Sequence, residues 1–383
     1  MIKSNQTISI IGLGYIGLPF LLSLSKSNFN LIGVDNDIKK IKDLKNRNYI
    51  SEEKEITSFY RKISKKKITY SSKLEKSDVY ILCLPTPLNK KKSCDLKILS
   101  TVLDKLSVNL KNEDLIIIES TVPIGFTESV IKKIKEKRLE LKKLSFAYVC
   151  EKAMPGNTLF EMTNNDRIIG CNNKDKHKLR NIYKSFVKGK IYFTDFKTAE
   201  ATKLIENTFR DFNIGLAHYL KNILEKNNLN YDKVFALSNK HPRVNILKPS
   251  IGVGGHCLPV DPYFLDNQKN GLISRIRLIN DNETILTVRK LRKKLKSYKN
   301  ETICFWGLGY KINSLDLRNS PALKIYNSLS GKNYYASEFK GRLKVKNFLK
   351  HKVALKKIKY HVLLNVSSIY KVRYFKNKKI INF

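Results

Sequence analysis

The chain contains 383 residues, of which 42% are apolar and 28% charged, and its formal net charge is +41. This length exceeds one ordinary domain of about 100 to 200 residues, so we expect a multidomain protein with more than one core. No run of about 18 uncharged apolar residues occurs and the N-terminus lacks a signal-peptide pattern, so we expect no membrane insertion and a cytoplasmic location.

The large positive charge would ordinarily indicate nucleic-acid binding. Here, however, the lysines occur in twos and threes along the whole chain, mostly on the outer side of amphipathic segments. This distribution favours solvated lysine faces, so we predict no nucleic-acid partner and only a modest attraction for anionic substrates. The six cysteines are scattered, without the close pairs of a zinc site, so we predict no metal site.

The first motif combines a strand, a glycine-rich turn and a helix. Residues 7–11 form a buried type of strand that leads into the turn at 12–17, and residues 18–24 continue as an apolar helix. A second apolar run, residues 31–34, ends in Asp35. This order of elements is the setting that a dinucleotide fingerprint requires.

Each residue type in the fingerprint has a physical reason. Gly12 makes the tight turn, Gly14 admits a pyrophosphate to the backbone, and Gly17 lets the helix pack close to the sheet. Asp35 would accept hydrogen bonds from ribose hydroxyls and repel a 2′-phosphate, which favours NAD over NADP. With two loop threonines, the predicted NAD-binding residues are Gly12, Gly14, Tyr15, Ile16, Gly17, Asp35, Thr86 and Thr121.

Three further apolar runs, residues 79–84, 115–118 and 146–150, follow in the alternating manner of a parallel sheet. Each leads into polar or turn residues at its carboxyl end, where open α/β sheets bind ligands.

The polar residues in these loops allow two interpretations. Thr86, Ser120 and Thr121 could each be an ordinary helix cap, whereas together on one sheet edge they would form a pocket. Glu151 follows a buried strand directly, so it is either a general base or a surface acid.

After a last strand at 190–193, a long helix is predicted to begin near Thr198 with a hydroxyl cap. Lys203 and Asn207 are four residues apart, so they share one face and could stabilise charge on a single oxygen, although such a pair is more often solvated. A stripe of apolar residues recurs at helical spacing along the helix: Ile205, Phe209, Phe212, Leu216, Leu220 and Ile223.

Residues 252–262 place Cys257 inside a glycine-rich turn, four residues before Asp261. Glycines permit sharp bends and close approach of a ligand, while Pro259 and Pro262 stiffen the segment that follows. Cys257 is therefore a candidate nucleophile, with a structural cysteine as the alternative.

A second strand and glycine turn follow at residues 302–309, but Ile312 takes the place of the third glycine. A second ordinary dinucleotide site is therefore not expected, and Lys311 suggests a phosphate contact of another kind. Pro321 stands near the start of the next helix, and residues 360–366 form one more strand-like run.

In this combination and order, the motifs resemble the UDP-glucose/GDP-mannose dehydrogenase family. The resemblance runs from Ile8 to about Leu329. Residues 241–247 are similar to the corresponding segment of the family branch that acts on UDP-N-acetylmannosamine. The motifs that carry it are the glycine fingerprint, 85–87, 120–125, Glu151 with Pro155 and Gly156, 199–211, 252–262, Tyr310 with Lys311, and 316–318.

The resemblance implies oxidation of a sugar C6 hydroxymethyl group to a carboxylate with two NAD. Cys257 would form a thiohemiacetal and then a thioester, Lys203 and Asn207 would steady the oxygen, and Glu151 and Asp261 would position or activate water. The implied substrate-binding residues are Lys152, Arg210, Arg243, Asn245, Gly254, Arg277, Lys311 and Arg318.

The resemblance also implies an α/β fold with two Rossmann-like parallel-sheet domains joined by a central helical domain. We place these at 1–196 (NAD binding), 197–297 (the catalytic cysteine and dimer formation) and 298–383 (a shortened nucleotide-sugar-binding domain). Family members are homodimers in which an arginine near Arg277 commonly serves the neighbouring subunit's site.

Two departures and two alternatives accompany this interpretation. Lys152 stands where the branch usually has arginine, and Ser250-Ile251 replaces a proline- and glycine-rich approach to the cysteine loop. The motifs also fit a sister enzyme acting on UDP-N-acetylglucosamine or UDP-glucose. A basic anion- or nucleic-acid-binding protein, or a decayed enzyme on a Rossmann fold, is the alternative from another class.

Overall fold

The computed structural model describes residues 6–154, 156–312, 314–329, 331, 333–339 and 343–382. Pro155, part of one family motif, lies outside the described residues. The chain divides into two compact units, unit 1 (Met1–Ile205) and unit 2 (Glu206–Phe383). No helix in the described part of the chain combines the length and apolarity needed to cross a membrane.

The strands in chain order are β1 (Thr7–Ile11), β2 (Asn30–Val34), β3 (Ile68–Ser71), β4 (Val79–Leu82), β5 (Leu115–Ile118), β6 (Ser145–Val149), β7 (Arg167–Cys171), β8 (Ile191–Thr194), β9 (Ile303–Trp306), β10 (Tyr334–Ser337), β11 (Tyr360–Leu363) and β12 (Lys379–Ile380). The first eight belong to unit 1 and the last four to unit 2.

The helices are α1 (Gly17–Leu24), α2 (Ile38–Lys45), α3 (Lys54–Lys62), α4 (Lys97–Ser107), α5 (Phe126–Lys137), α6 (Thr158–Asn164), α7 (Lys176–Lys184), α8 (Phe196–Lys226), α9 (Tyr231–Ser238), α10 (Pro262–Leu265), α11 (Leu272–Leu295), α12 (Pro321–Leu329), α13 (His351–Lys357) and α14 (Ser368–Phe375). Helix α8 crosses the boundary between the units.

Unit 1 is built on a sheet whose eight described strands lie in the order β3-β2-β1-β4-β5-β6-β7-β8. Strands β1 to β6 pair in parallel, whereas β7 pairs antiparallel with β6 and parallel with β8. The predicted α/β class with Rossmann-like parallel sheets is thus confirmed, apart from the reversed direction of the last two strands. Apolar runs mark buried strands but do not encode their direction.

The sheet of unit 1 is covered by helices on both faces. Alternate residues of β1 point to opposite sides, so Ile8 and Ile10 pack with residues of α1, α6 and α7, while Ile11 packs with residues of α4 and α5. Burial on both faces explains why its strands are continuous apolar runs.

Helix α8 spans 31 residues and begins at Phe196. The predicted hydroxyl cap at Thr198 is wrong, because Asp195 Oδ1 accepts the Thr198 N–H at 2.9 Å. Within unit 1, the buried Glu200 carboxylate accepts hydrogen bonds from the backbone N–H groups of Gly125 and Thr127. These groups open α5, where a negative charge also interacts favourably with the helix dipole.

Unit 2 contains a parallel sheet whose described strands lie in the order β10-β9-β11-β12. Its core includes residues of α11 and α12, and the Trp306 indole N–H donates to His361 Nδ1 at 3.1 Å. Helix α12 begins at Pro321, as predicted. The turn after β9 does not continue directly into a helix, and Ile312 is exposed.

Candidate active site

The glycine turn after β1 is shaped by two close backbone approaches. Gly12 has a φ of 93°, and a Cβ there would lie 2.5 Å from the Cys83 carbonyl oxygen. A Cβ on Gly17 would lie 1.8 Å from the Gly12 carbonyl oxygen, so a side chain would push α1 off the turn. A Cβ on Gly14 would meet no atom within 4 Å. The turn is therefore tight where the helix packs and open where a pyrophosphate is predicted to approach.

The two residues before Gly17 have different surroundings. The Tyr15 hydroxyl donates to Glu52 Oε2 at 2.6 Å, and Ile16 packs against the core of unit 1. Their predicted contacts with a cofactor remain predictions.

Asp35, at the carboxyl end of β2, is held by three hydrogen bonds. Its Oδ2 accepts from Leu13 N at 2.9 Å and from Lys40 Nζ at 2.8 Å, and its Oδ1 accepts from Asp37 N at 2.9 Å. Lys40 was not predicted from the sequence, where its signal is its place in the first turn of α2, five residues after Asp35. Lys40 offsets part of the charge that is expected to repel a 2′-phosphate.

The loops after β4 and β5 are joined by side chains. Thr86 Oγ1 donates to the Thr121 carbonyl at 2.7 Å, and Ser120 Oγ accepts from Leu84 N at 2.8 Å. The caps of α4 and α5 are Leu96 and Gly125, so the helix-cap interpretation of these hydroxyls is wrong. They instead fasten two loops together at one edge of the sheet.

Glu151 is 5% exposed, so the surface-acid interpretation is wrong. Its Oε1 accepts from the backbone N–H groups of Lys152, at 2.6 Å, and Ala153, while its Oε2 lies 3.1 Å from Arg167 Nη2. Lys203 Nζ donates to the Glu151 carbonyl oxygen. The structure therefore brings two of the predicted active-site residues into direct contact within unit 1.

A second buried carboxylate, Glu119, was not singled out from the sequence. It is 5% exposed and accepts a hydrogen bond from the Tyr183 hydroxyl. Burial, followed by the charge of Glu151, raises the pKa of Glu119 to about 8, against the opposing effect of Arg167. Burial and the two carboxylates also raise the pKa of the Cys83 thiol. Glu119 therefore holds a proton that an exposed glutamate would have lost near neutral pH.

The cysteine loop lies in unit 2 and leads into α10. Cys257 is exposed, and its carbonyl oxygen accepts from Val260 N at 2.9 Å and Asp261 N at 2.8 Å. Asp261 is 3% exposed, and its Oδ2 accepts from Asn207 Nδ2 at 2.5 Å. A helix residue and the short turn that follows Cys257 are thus fastened together, which orients the loop.

The glycines of the loop allow close packing against the segment that precedes α12. A Cβ on Gly254 would lie 2.6 Å from Pro321 Cδ, and Gly255, with a φ of 85°, donates its N–H to the Arg318 carbonyl at 3.2 Å. Asn319 Nδ2 donates back to the Gly255 carbonyl at 3.0 Å. Side chains at these glycines would displace the loop.

The predicted substrate-binding residues differ in exposure. Arg277 is 2% exposed and donates to Asp211 and, at 2.7 Å, to Asp281, so it ties α11 to α8. Arg318 pairs with Asp316 at 2.5 Å. Lys152 and Gly254 are half-buried, and five are exposed: Arg210, Arg243, Asn245, Lys311 and Arg318. Their role toward a substrate stays a prediction.

Comparison with protein families gives two matches. Residues 6–187 match the NAD binding domain of the UDP-glucose/GDP-mannose dehydrogenase family, and residues 197–285 match the central domain of that family.

Individual proteins are similar over most of their length. A UDP-N-acetyl-D-mannosamine dehydrogenase of Methanocaldococcus jannaschii is 41% identical, over 85% of this chain and 77% of that protein. An NDP-N-acetyl-D-galactosaminuronic acid dehydrogenase of Ralstonia solanacearum is 33% identical, over 85% and 80%. The solved UDP-N-acetyl-mannosamine dehydrogenase of Staphylococcus aureus superposes with a TM-score of 0.85 at 34% identity, over 98% of this chain and 92% of that one.

The buried proton on Glu119 predicts a pH effect on stability. The pKa of Glu119 is about 8 in the folded protein and ordinarily 4.5, so folding takes up a proton between these pH values. The free energy of unfolding therefore falls as the pH rises from 4.5 to about 8. Each pH unit there costs up to about 1.4 kcal/mol, or a few degrees of Tm. When thermal unfolding is measured from pH 5 to pH 8, the Tm of Glu119→Gln should therefore fall by less than the Tm of the wild type.

The control for this experiment is Glu136→Gln, since Glu136 is an exposed acid on α5. It should follow the wild-type curve. Parallel curves for the wild type and Glu119→Gln would contradict the assignment of a proton to Glu119.

Proposed function

The chain belongs to the UDP-glucose/GDP-mannose dehydrogenase family, and from this premise we propose that it oxidises UDP-N-acetylmannosamine to UDP-N-acetylmannosaminuronate. The reaction converts the C6 hydroxymethyl group to a carboxylate, consumes two NAD and one water, and releases two NADH and three protons. As a nucleotide-sugar dehydrogenase, the enzyme would supply an acidic sugar for surface polysaccharide synthesis.

The choice of sugar is supported by the names of several relatives that share 37 to 41% identity with this chain. The residues at 241–247, which resemble the same branch, point in the same direction. The relative named for an N-acetylgalactosaminuronic acid makes a galactosamine derivative the second candidate substrate.

The fingerprint of unit 1 fits NAD. The open space beside Gly14 suits a pyrophosphate, and Asp35, preset by its hydrogen bonds, suits the ribose hydroxyls. NAD, when bound, supplies the hydride acceptor for both oxidations. The proposed NAD-binding residues are Gly12, Gly14, Tyr15, Ile16, Gly17, Asp35, Thr86 and Thr121.

The observation that carries the proposed chemistry is the exposed Cys257 in a loop anchored by the hydrogen bond from Asn207 to Asp261. The Cys257 sulfur would attack the C6 aldehyde to form a thiohemiacetal. Loss of a hydride would leave a thioester, and water would hydrolyse it with the thiolate as leaving group. A thiol suits this sequence because its thiolate is both a good nucleophile and an acceptable leaving group.

Four other side chains are assigned roles around the reacting carbon. Lys203 and Asn207 would stabilise the negative oxygen that develops at C6. Glu151 and Asp261 would orient or activate the water that attacks the thioester. Two contacts support these roles, since each joins a residue assigned to the oxygen with a residue assigned to the water. They are the contact of Lys203 with Glu151 and that of Asn207 with Asp261.

The nucleotide diphosphate of the substrate calls for cationic partners. We assign the segment 298–383 to nucleotide-sugar binding, together with cations of the other two proposed domains. The proposed substrate-binding residues are Lys152, Arg210, Arg243, Asn245, Gly254, Arg277, Lys311 and Arg318.

We further propose that two copies of the chain pair through the apolar stripe of α8. Four of its six residues are exposed, from 38% at Ile223 to 70% at Phe209, and the other two are half-buried. Their spacing places them on one face of the helix, which makes a self-complementary seam. A second copy of the same helix would remove this surface from water.

Turnover of a panel of UDP-sugars tests the substrate. NADH formation with UDP-N-acetylmannosamine should exceed that with the N-acetylglucosamine, N-acetylgalactosamine and glucose derivatives by at least about tenfold in kcat/KM. Turnover of another UDP-sugar, with no turnover of the mannosamine derivative, would contradict the proposed substrate.

Cys257→Ser tests the covalent step. Acid formation should fall by about three orders of magnitude or more, because a serine hydroxyl is far less acidic than a thiol. Cys94→Ser, which alters a half-buried cysteine outside the proposed site, should keep the wild-type rate. An undiminished rate in Cys257→Ser would rule out the thioester.

Light scattering coupled to gel filtration tests the pairing. The wild type should show about twice the chain mass of 44.3 kDa, and Phe209→Asp combined with Leu216→Asp should show a single chain. Val108→Asp, a single acidic change at an exposed position directly after α4, should leave the wild-type mass. A double variant that keeps the doubled mass would show that α8 is not the interface.

A further inference from the structure

A buried polar chain in unit 2 leads from α8 to the segment that enters the cysteine loop. His218 of α8 is fully buried, and its Nδ1 lies 2.8 Å from Asn280 Oδ1. Its Nε2 lies 3.1 Å from Ser250 N and 3.2 Å from Ser250 Oγ, and this hydroxyl donates to the Gly252 carbonyl at 2.9 Å. Asn280 of α11 then donates from Nδ2 to Asp211 Oδ1 at 2.9 Å. Arg277 donates to the same carboxylate.

The partners fix the state of the imidazole. A backbone N–H can only donate, so the bond from Ser250 requires His218 Nε2 to be an acceptor. The proton is then on Nδ1, which donates to Asn280 Oδ1, and the Asn280 amide is oriented by its bonds to Asp211. His218 is therefore neutral in this arrangement, with one tautomer selected.

The groups facing His218 agree with a neutral ring. Glu283 of α11 and Lys221 of α8 form an ion pair, and they act on the pKa of the imidazole in opposite directions, Glu283 raising it and Lys221 lowering it. Burial is the largest influence and lowers the pKa of His218 below its ordinary value.

The two residues after Ser250 are fixed as well. Thr284 Oγ1 of α11 donates to the Ile251 carbonyl at 3.0 Å. Gly252 has a φ of 124°, and a Cβ there would lie 2.2 Å from Thr284 Oγ1. The chain therefore enters the loop of Cys257 in a single direction, set by contacts with α8 and α11.

We propose that His218 is a positioning residue for Cys257: by accepting the Ser250 N–H it sets the course of the chain into the cysteine loop. The inference rests on the proposed function, since it gives Cys257 its role in the reaction. It also concerns Ser250, one of the positions at which this chain departs from the family pattern.

A pair of amide variants separates the contacts of Nε2 with Ser250 from the contact of Nδ1 with Asn280. The Gln side chain places a polar atom near the position of His Nε2, and the Asn side chain places one near the position of His Nδ1. His218→Gln can therefore still accept from Ser250, whereas His218→Asn keeps only the contact with Asn280. Both variants lose the ring, and Asn leaves the larger void because its side chain is one methylene group shorter, so Tm is measured for each.

The reactivity of Cys257 toward iodoacetamide, followed at its own peptide by mass spectrometry, reports the loop without substrate. We expect His218→Asn to change this rate at least about threefold and to lower kcat about tenfold with the KM for NAD unchanged. His218→Gln should stay within about twofold of wild type on both measures. Ser250→Ala keeps the backbone N–H but loses the Oγ contacts with His218 and Gly252. Because the proposal assigns the positioning to the backbone N–H, this variant should behave like His218→Gln.

The outcomes are distinguishable. Equal Cys257 reactivity and equal kcat in His218→Asn and His218→Gln, whether both match the wild type or both fall together with Tm, would overturn the positioning role. If wild-type protein turns over no UDP-sugar while the reactivity difference persists, the positioning of the loop stands and the proposed function fails.

Discussion

Helix α8 carries polar side chains that are buried or half-buried, and these need hydrogen-bond partners because an unpaired buried polar group is costly. Each of these partners belongs to another loop or helix that α8 thereby holds in place. Within unit 1 they are the start of α5 and the carbonyl of Glu151, and within unit 2 they are Asp261, Arg277 and Ser250. The side chains involved are Glu200, Lys203, Asn207, Asp211 and His218. The opposite side of α8 carries the apolar stripe, and four of its six residues are exposed.

Much of unit 1 could be predicted because its signals are local. The glycine turn requires Gly12 and Gly17 for steric reasons that the spacing already indicates, and buried strands read as apolar runs. The direction of β7 could not be predicted, since it depends on pairing with β6 and not on its own residues. Lys40 was missed for the same reason, because its importance lies in its contact with Asp35.

The residues of the candidate site also divide into those that the sequence identifies and those that only the structure reveals. Cys257, Lys203 and Asn207 were identified from motif spacing, and their roles remain proposals. Glu119 sits one residue before a motif that was noticed, but its raised pKa comes from burial and from Glu151, and neither is visible in the sequence. His218 likewise looks like an ordinary helix residue until its two ring nitrogens are seen between Ser250 and Asn280.

The proposed reaction is a four-electron oxidation carried through one cysteine, and the ratio of NADH formed to sugar consumed distinguishes it from a single hydride transfer. With UDP-N-acetylmannosamine as limiting substrate, we expect two NADH per sugar, with a uronic acid as product and no accumulating aldehyde. One NADH per sugar, with an aldehyde or ketone as the final product, would contradict it, because a single hydride transfer needs neither the thioester nor Cys257.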